Sequence, residues 1–244
     1  MSLSYGRPMV SIPGPSVIPD RVLAAMHRPM PNIYEGELID TTDSILSDLA
    51  AFAGTQGRTA LYICNGHGVW EAAISNLFEP GDQVLVLNSG TFGGGWANLA
   101  RVMGIDVIEL DFGRHDPIDP EQLRDQLSAD KAHNIKGVLG VHTDTASSVL
   151  NDLPAIRRAI DDAGHPALFV VDAIASFGCD RYEMDAWGID VTVTACQKGL
   201  MTPPGLGYLI FTHHAELASK KIAKRSPYWD WEPRIKPEVF YQRF

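Results

Sequence analysis

The stretch that decides the fold spans residues 191–205 and reads Val-Thr-Val-Thr-Ala-Cys-Gln-Lys-Gly-Leu-Met-Thr-Pro-Pro-Gly. Its first five residues predict a buried strand, and a Pro-Pro-Gly turn follows soon after. Lys198 therefore stands at a strand end, where burying an ammonium group is costly unless its charge is neutralised or used. Two interpretations stay open at this point. The lysine either reaches solvent, or it loses its proton and forms a Schiff base with an aldehyde cofactor.

From residue 59 onward, strand-like and helix-like stretches alternate. Apolar runs between turn residues predict strands over 59–64, 83–87, 106–110, 136–141, 167–172, 190–195 and 207–211. Helical spacing predicts helices over 69–77, 96–103, 119–127 and 153–163. Repeated strand–helix units of this kind predict an α/β fold with three layers, in which helices cover both faces of a mostly parallel sheet.

The composition predicts a folded protein without a nucleic-acid or membrane partner. The chain has 244 residues, of which 45% are hydrophobic, so it can bury a sizeable core as one large domain or two small ones. A formal net charge of −10 argues against a nucleic-acid or anionic-membrane surface. No apolar run approaches the ~20 residues of a membrane span, and the start shows no signal-like segment. Three cysteines without a CxxC pair predict free thiols and a cytoplasmic location, with Cys196 as a small buried side chain.

The two ends of the chain differ from the alternating part. Prolines interrupt residues 1–19, which predicts an N-terminal arm, and helices are expected over 20–26 and from Thr41 or Thr42 to Phe52. Residues 220–244 are basic and aromatic and show no clear terminal helix, so we expect the chain to be incomplete there. The predicted division is an arm over 1–19 and one large domain over 20–244, whose last part could begin a smaller domain.

Candidate ligand-binding residues stand at the carboxyl ends of the predicted strands, where open parallel sheets bind ligands. Residues 65–68, Asn-Gly-His-Gly, join a strand to a helix, and their glycines let backbone N–H groups approach an anion. The pattern matches neither Walker A nor GxGxxG, and it could be an ordinary turn. Asp172 follows four apolar residues, so its carboxylate needs a partner. It either caps the following turn or pairs with a protonated ring nitrogen, as pyridoxal enzymes require.

Two further strand ends carry candidates. Residues 142–145, His-Thr-Asp-Thr, offer an imidazole and hydroxyl groups that could hydrogen-bond a ligand. We expect no metal site at His142 and Asp144, because no third and fourth ligand stands at a suitable spacing. Phe92 lies in a glycine-rich loop at the same end of the sheet, where it could cover the sheet or stack on an aromatic ring.

Taken together, these motifs resemble one family. The chain resembles the class V pyridoxal-phosphate aminotransferases of fold type I in three segments. These are residues 65–68 between a strand and a helix, residues 172–178, and residues 197–205 with their Gln-Lys and Pro-Pro-Gly. The similarity is greatest to the alanine–glyoxylate and serine–pyruvate branch, and residues 13–16 and 77–82 belong to the same pattern. The resemblance covers nearly the whole chain, and its order and spacing are more specific than any single motif. It favours the Schiff-base interpretation of the lysine.

The resemblance implies roles around the reacting atoms. Lys198 would bind pyridoxal 5'-phosphate as a Schiff base and then move the substrate proton, and Asp172 would pair with the pyridinium N–H. Phe92 would stack on the pyridine ring, and Thr145 would hydrogen-bond the phenolic oxygen. Gly14, in the arm, would lie near the substrate carboxylate.

The resemblance also implies a phosphate site and partners. Asn65, Gly66 and His67 would hold the phosphate at the helix N-terminus, assisted by Gln197. Members form homodimers, in which the neighbouring subunit also contacts the phosphate. Their C-terminal domain carries an arginine that binds the substrate carboxylate. That domain and the phosphate-contacting segment lie beyond residue 244, so we expect this chain to lack them.

The implied reaction transfers an amino group from alanine or serine to glyoxylate or pyruvate. The substrate stays open, because residues 145–148 depart from the family's Thr/Ser-Ser-Thr-Gly and residues 142–145 are also similar to pyridoxamine–pyruvate transaminases. Neither Arg234 nor Arg243 matches the motif of the carboxylate-binding arginine. The remaining alternatives are a lyase or desulfurase of the same cofactor family, and a truncated non-catalytic paralogue, which the aromatic stretch 228–241 permits.

Overall fold

A seven-stranded sheet organises the chain in the computed structural model, which describes residues 10–223 and 226–236. Its strands are β1 (Arg58–Cys64), β2 (Gln83–Asn88), β3 (Asp106–Asp111), β4 (Ile135–Val141), β5 (Leu168–Asp172), β6 (Val191–Ala195) and β7 (Gly205–Phe211). The helices are α1 (Asp20–Met26), α2 (Glu37–Phe52), α3 (Gly66–Leu77), α4 (Thr91–Val102), α5 (Pro120–Ala129), α6 (Leu153–Asp162) and α7 (His213–Ser219), with a short 3₁₀ helix at Pro233–Ile235. The predicted α/β fold is confirmed.

The strand directions bring most strand ends to one edge of the sheet. The strand order is β1-β7-β6-β5-β4-β2-β3, and the strands from β6 to β3 in this order pair in parallel. Strand β7 is antiparallel to both β6 and β1, so β1 runs in the same direction as β6. The connection 196–204 between β6 and β7 is too short for a parallel crossover, which takes about a dozen residues or more. The carboxyl ends of β1, β2, β4, β5 and β6 therefore meet at one edge.

Helices cover both faces of the sheet. Helices α2, α5 and α6 bury Leu49, Leu123 and Ile156 against one face. Helices α3 and α4 bury Trp70 and Trp96 against the other face. A strand that is buried on both faces needs apolar side chains at nearly every position. This is why the central strands stand out in the sequence as continuous apolar runs.

Three helices begin earlier than the sequence predicts. Helix α2 begins at Glu37 instead of Thr41 or Thr42, α3 at Gly66 instead of residue 69, and α4 at Thr91 instead of residue 96. Glycine is a poor helix former, so the glycines at the starts of α3 and α4 were assigned to loops. In the structure a Cβ on Gly93 would lie 2.9 Å from the side-chain oxygen of Asn88, so close packing requires glycine there. Helix α7 was not predicted.

The aromatic C-terminal stretch packs onto the sheet. Trp231 is buried and stacks on Phe211 of β7, with ring centroids 4.0 Å apart. Arg234 donates to the carbonyl of Leu61, and the hydroxyl of Tyr228 donates to the carbonyl of the exposed Ile63. These bonds satisfy carbonyl groups of the edge strand β1, which would otherwise be open to pairing with another chain. The end of this stretch, residues 237–244 with Arg243, lies outside the described residues.

Candidate active site

A cavity of about 280 Å³ lies at the edge where the strand ends meet. Each residue to which the family resemblance assigns a role at the site lines it: Gly14, Asn65, Gly66, His67, Phe92, Thr145, Asp172, Gln197 and Lys198. They come from the arm and from segments at or after the carboxyl ends of five strands. The volume is close to the ~300 Å³ at the lower end of small-molecule sites. The fold thus brings together residues that are far apart in sequence.

The N-terminal arm lies directly against the lysine. Ser16 donates from its hydroxyl to the Lys198 carbonyl at 2.7 Å and from its backbone N–H to the Gln197 carbonyl at 2.8 Å. The Lys198 ammonium donates to the Pro13 carbonyl at 3.3 Å. A Cβ on Gly14 would lie 2.5–2.9 Å from the end of the lysine side chain, and φ at this residue is +152°. Only glycine lets the arm approach this closely.

Lys198 and Asp172 have opposite charges, and the pKa of each is displaced toward neutrality. Burial lowers the pKa of Lys198, while the carboxylate of Asp172 and the thiol of Cys179 raise it less. Burial raises the pKa of Asp172 to about 6, and hydrogen bonds from the Ile174 N–H and the Trp70 indole N–H oppose that rise. A lysine that gives up its proton more easily is a better nucleophile toward a carbonyl carbon. This pair is therefore suited to covalent chemistry on an aldehyde.

The N-terminus of helix α3 supplies anion-binding groups. The Asn65 side chain caps the helix by accepting from the Gly68 N–H at 3.2 Å. The N–H groups of Gly66 and His67 have no partner within the helix, and both residues line the cavity. Across from them, the buried side-chain oxygen of Gln197 has no hydrogen-bond partner in the described part of the chain. A buried acceptor without a partner is expected where a donor group of a ligand completes the site.

Asp144 holds the wall that carries Phe92. One carboxylate oxygen accepts from the N–H groups of Phe92 and Gly93, at 2.7 and 3.3 Å, and so caps helix α4 from another segment. The other oxygen accepts from the N–H groups of Ala146 and Ser147, at 2.9 and 3.3 Å. Both oxygens are therefore used within the protein, and Asp144 has a structural role.

The structure does not bring His142 to the cavity. Its Nδ1 lies 2.9 Å from the Ser176 hydroxyl, and its ring packs near Tyr182 and Trp187. Burial lowers the pKa of His142 to about 4, so the imidazole is neutral at pH 7. The interpretation that this imidazole could bind a ligand in the cavity is not supported, whereas the neighbouring Thr143 does line the cavity.

Two residues at the site were not predicted from the sequence: Trp70, which contacts Asp172, and Ile174, which contacts the N-terminus of helix α3. Trp70 donates its indole N–H to Asp172 at 2.7 Å. The side chain of Ile174 lies so close to Gly66 that a Cβ there would be 2.6 Å from its Cδ1. One signal was present, since Trp70 follows His67 by three positions and so shares its helix face.

Comparison with known proteins identifies the family. The model of the aminotransferase class-V family matches residues 20–224. The serine–glyoxylate aminotransferase of Methylorubrum extorquens is 36% identical over 237 residues, which are 95% of this chain and 59% of that protein. An aspartate aminotransferase of subgroup IV from Thermus thermophilus superposes with a TM-score of 0.87 at 27% identity, over 97% of this chain and 64% of that one. The pyridoxamine–pyruvate aminotransferase of Mesorhizobium loti superposes with a TM-score of 0.83 at 25% identity. The superposition covers 97% of this chain and 62% of that one.

The chain belongs to the class V aminotransferases, and it spans about 60% of the length of these relatives. The cofactor that this family implies is pyridoxal phosphate, and the residues present fit it. The lysine with a lowered pKa would meet its aldehyde, the buried carboxylate its ring nitrogen, and the N-terminus of helix α3 its phosphate.

Proposed function

We propose that this chain is the cofactor-binding part of an aminotransferase that moves an amino group from a small amino acid, such as serine or alanine, to a 2-oxo acid, such as glyoxylate or pyruvate. The observation that carries the proposal is the single cavity lined by Lys198, Asp172 and the N-terminus of helix α3. The similarity to a serine–glyoxylate aminotransferase supports the substrate class. Bound pyridoxal phosphate supplies an electron sink that stabilises negative charge on the substrate carbon.

The residues of the chain would then divide the work among them. Lys198 Nζ would hold the aldehyde carbon covalently and, once released, carry the proton that leaves the substrate carbon. Asp172 would keep a proton on the ring nitrogen by offering its negative charge in a buried site. Phe92 would stack on the ring, and Thr145 would donate to the phenolic oxygen. Gly14 keeps space beside the lysine, where the substrate carboxylate would enter.

The phosphate would bind at the start of helix α3. Asn65 caps the helix, and the N–H groups of Gly66 and His67, which have no partner within the helix, favour an anion there together with the positive end of the helix dipole. Gln197 would donate from its side-chain NH2 group to the same anion. The chain has a net charge of −10, so this local arrangement, rather than overall attraction, would select the phosphate.

Covalent labelling of the lysine tests the proposal. Mixing the chain with pyridoxal phosphate and then reducing with borohydride should leave a pyridoxyl group on Lys198, detected by mass spectrometry of peptides. The variant Lys198→Ala should lose this label. The matched control is Lys136→Ala, because Lys136 is exposed and its ammonium donates to the backbone carbonyl of His133. Equal labelling of the wild type and Lys198→Ala would overturn the proposal.

A second candidate reaction uses pyridoxamine itself as the amino donor. The observation that favours it is the similarity to a pyridoxamine–pyruvate aminotransferase over 97% of this chain. The two candidates separate in the complete protein when serine, alanine and pyridoxamine are each supplied with pyruvate or glyoxylate and the oxo product is measured. Product from pyridoxamine but from neither amino acid would select the second candidate.

We further propose a homodimer that works in the cytoplasm. Helix α1 and the residues after it support the dimer, since α1 buries no residue and large apolar side chains are exposed there: Leu23 by 47%, Met26 by 56% and Met30 by 89%. Exposed apolar patches of this kind mark interfaces. In the described part of the chain, no helix has both the length and the apolar character of a membrane span. Light scattering during size-exclusion chromatography measures the dimer directly, and a monomer at micromolar concentration would contradict it.

A further inference from the structure

Trp70 makes a buried hydrogen bond to the carboxylate that faces the cavity. The residue lies in the second turn of α3 and is 2% exposed. Its Nε1 donates to Asp172 Oδ2 at 2.7 Å, while the Ile174 N–H donates to Oδ1 at 2.7 Å. A carboxylate has about four acceptor positions, so both oxygens can still accept from a ligand. The indole thus fixes the orientation of Asp172 without using up its capacity.

The ring of Trp70 also touches two other walls of the cavity. It meets the His67 ring edge-on at 4.9 Å between centroids and the Phe92 ring edge-on at 6.2 Å. Behind it, Trp96 stacks at 5.8 Å with an interplanar angle of 13°. Trp70 therefore contacts three residues with expected roles at the cofactor: His67 at the phosphate, Phe92 at the ring face and Asp172 at the ring nitrogen.

The chemistry of the indole selects one state of the carboxyl group. An indole N–H can donate but cannot accept, so it stabilises the ionised carboxylate more than the protonated acid. This acts against the burial that raises the pKa of Asp172 to about 6. The nearby carboxylate of Asp144 also raises the pKa of Asp172, and the hydrogen bond from Trp70 opposes this effect too.

We propose that Trp70 is a positioning residue, whose indole N–H keeps Asp172 ionised and aimed into the cavity while its ring holds His67 and Phe92 in place. The proposal rests on the proposed function for its purpose, since the ring nitrogen of the cofactor would be the group that Asp172 meets. The contact itself is a property of the chain alone. Its test can therefore be made without cofactor.

A pH titration of the indole N–H resonances by ¹H–¹⁵N NMR tests the contact. One resonance, absent in Trp70→Phe, should shift with a midpoint near pH 6 as Asp172 ionises. The shift should vanish in Asp172→Asn. Wild-type spectra without such a titrating resonance, or a shift that persists in Asp172→Asn, would overturn the proposal, even if Trp70→Phe does not fold.

Other charged groups near the pair define the controls. Lys198, Asp144 and Tyr182 interact electrostatically with Asp172, and His67 contacts the Trp70 ring. Because His67→Gln removes the ionisable ring that contacts the indole, this variant must leave the titration in place. Loss of the titration in His67→Gln, with retention in Asp172→Asn, would assign it to the histidine and overturn the proposal.

Two tryptophan variants separate positioning from packing. Trp70→Phe should raise the pKa of Asp172 by about one unit, seen in its carboxyl ¹³C shift, and weaken pyridoxal phosphate binding about tenfold. The matched control is Trp96→Phe, because Trp96 is equally buried but its Nε1 has no partner in the described part of the chain. It should change neither quantity. An unchanged Asp172 pKa in a folded Trp70→Phe would overturn the proposal, whereas failed Lys198 labelling with an intact titration would overturn only the proposed function.

Discussion

Asp144 and Asp172 follow neighbouring strands at the same edge of the sheet, and both are buried, yet the structure uses them differently. Asp144 accepts four backbone N–H groups, two on each oxygen. Asp172 accepts one backbone N–H and one indole N–H and lines the cavity. A carboxylate whose acceptor positions are filled by its own backbone builds structure, while one with positions left over can serve a ligand.

The difference also has an energetic side. A buried carboxylate with several backbone donors replaces its lost hydration with fixed hydrogen bonds. Asp172 accepts only two such hydrogen bonds from the described residues and so replaces less of its lost hydration. Burial therefore raises its pKa to about 6. Keeping Asp172 ionised is therefore costly for the protein alone, and perturbed pKa values of this kind are common at functional sites.

The largest expected effect is a pH-dependent stability difference at Asp172. Its folded-state pKa of about 6 lies above the unfolded value of about 3.9, so its contribution to stability is greatest below pH 4 and is lost as the pH rises through 6. Relative to Asp172→Asn, the wild type should lose about 3 kcal/mol of unfolding free energy between pH 3 and pH 8. Urea unfolding of both proteins across this range measures it. His142 and other titrating groups are present in both proteins and cancel in the difference, so a difference that is flat with pH would contradict the prediction.

The next effect concerns the cap made by Asp144. Replacing Asp144 with Ala leaves four backbone N–H groups without their acceptor, and we expect unfolding free energy to fall by about 2–3 kcal/mol. The matched control is Asp119→Ala at the start of α5, where the carboxylate accepts from the Glu121 N–H in an exposed position. Water can replace that acceptor, so the cost should be about 1 kcal/mol. Equal losses in the two variants would show that Asp144 is an ordinary local cap.

These two carboxylates also show which features of the site could be predicted from the sequence and which could not. Asp172 was identified as a site residue because it ends an apolar strand, and the strand itself was visible because parallel strands are apolar on both faces. The role of Asp144 was hidden, since its partner Phe92 is 52 positions away and belongs to a helix that glycines obscure. Contacts between distant segments set the start of α4, and local propensity carries no record of them.

The same limit applies to the rest of the site. The residues lining the cavity could be predicted because they follow strands that end at one edge. The bond from Trp70 to Asp172 spans 102 positions, and a buried tryptophan in a helix is indistinguishable in sequence from ordinary core. The antiparallel direction of β7 was open to prediction, because the short connection before it excludes a parallel crossover.

The smallest expected effect distinguishes Thr145 from its neighbour Asp144. Thr145 lines the cavity and makes no side-chain hydrogen bond within the described part of the chain, so Thr145→Val should change unfolding free energy by less than about 0.5 kcal/mol. It should weaken pyridoxal phosphate binding about tenfold, the effect of losing one hydrogen bond to the phenolic oxygen. The control in the same loop is Ser147→Ala, since Ser147 donates to the Ser89 carbonyl at 3.0 Å. That variant should lose about 1 kcal/mol of stability and keep its affinity, as measured by fluorescence titration with the cofactor. If Thr145→Val binds as tightly as the wild type, the loop after β4 has only the structural role that Asp144 gives it.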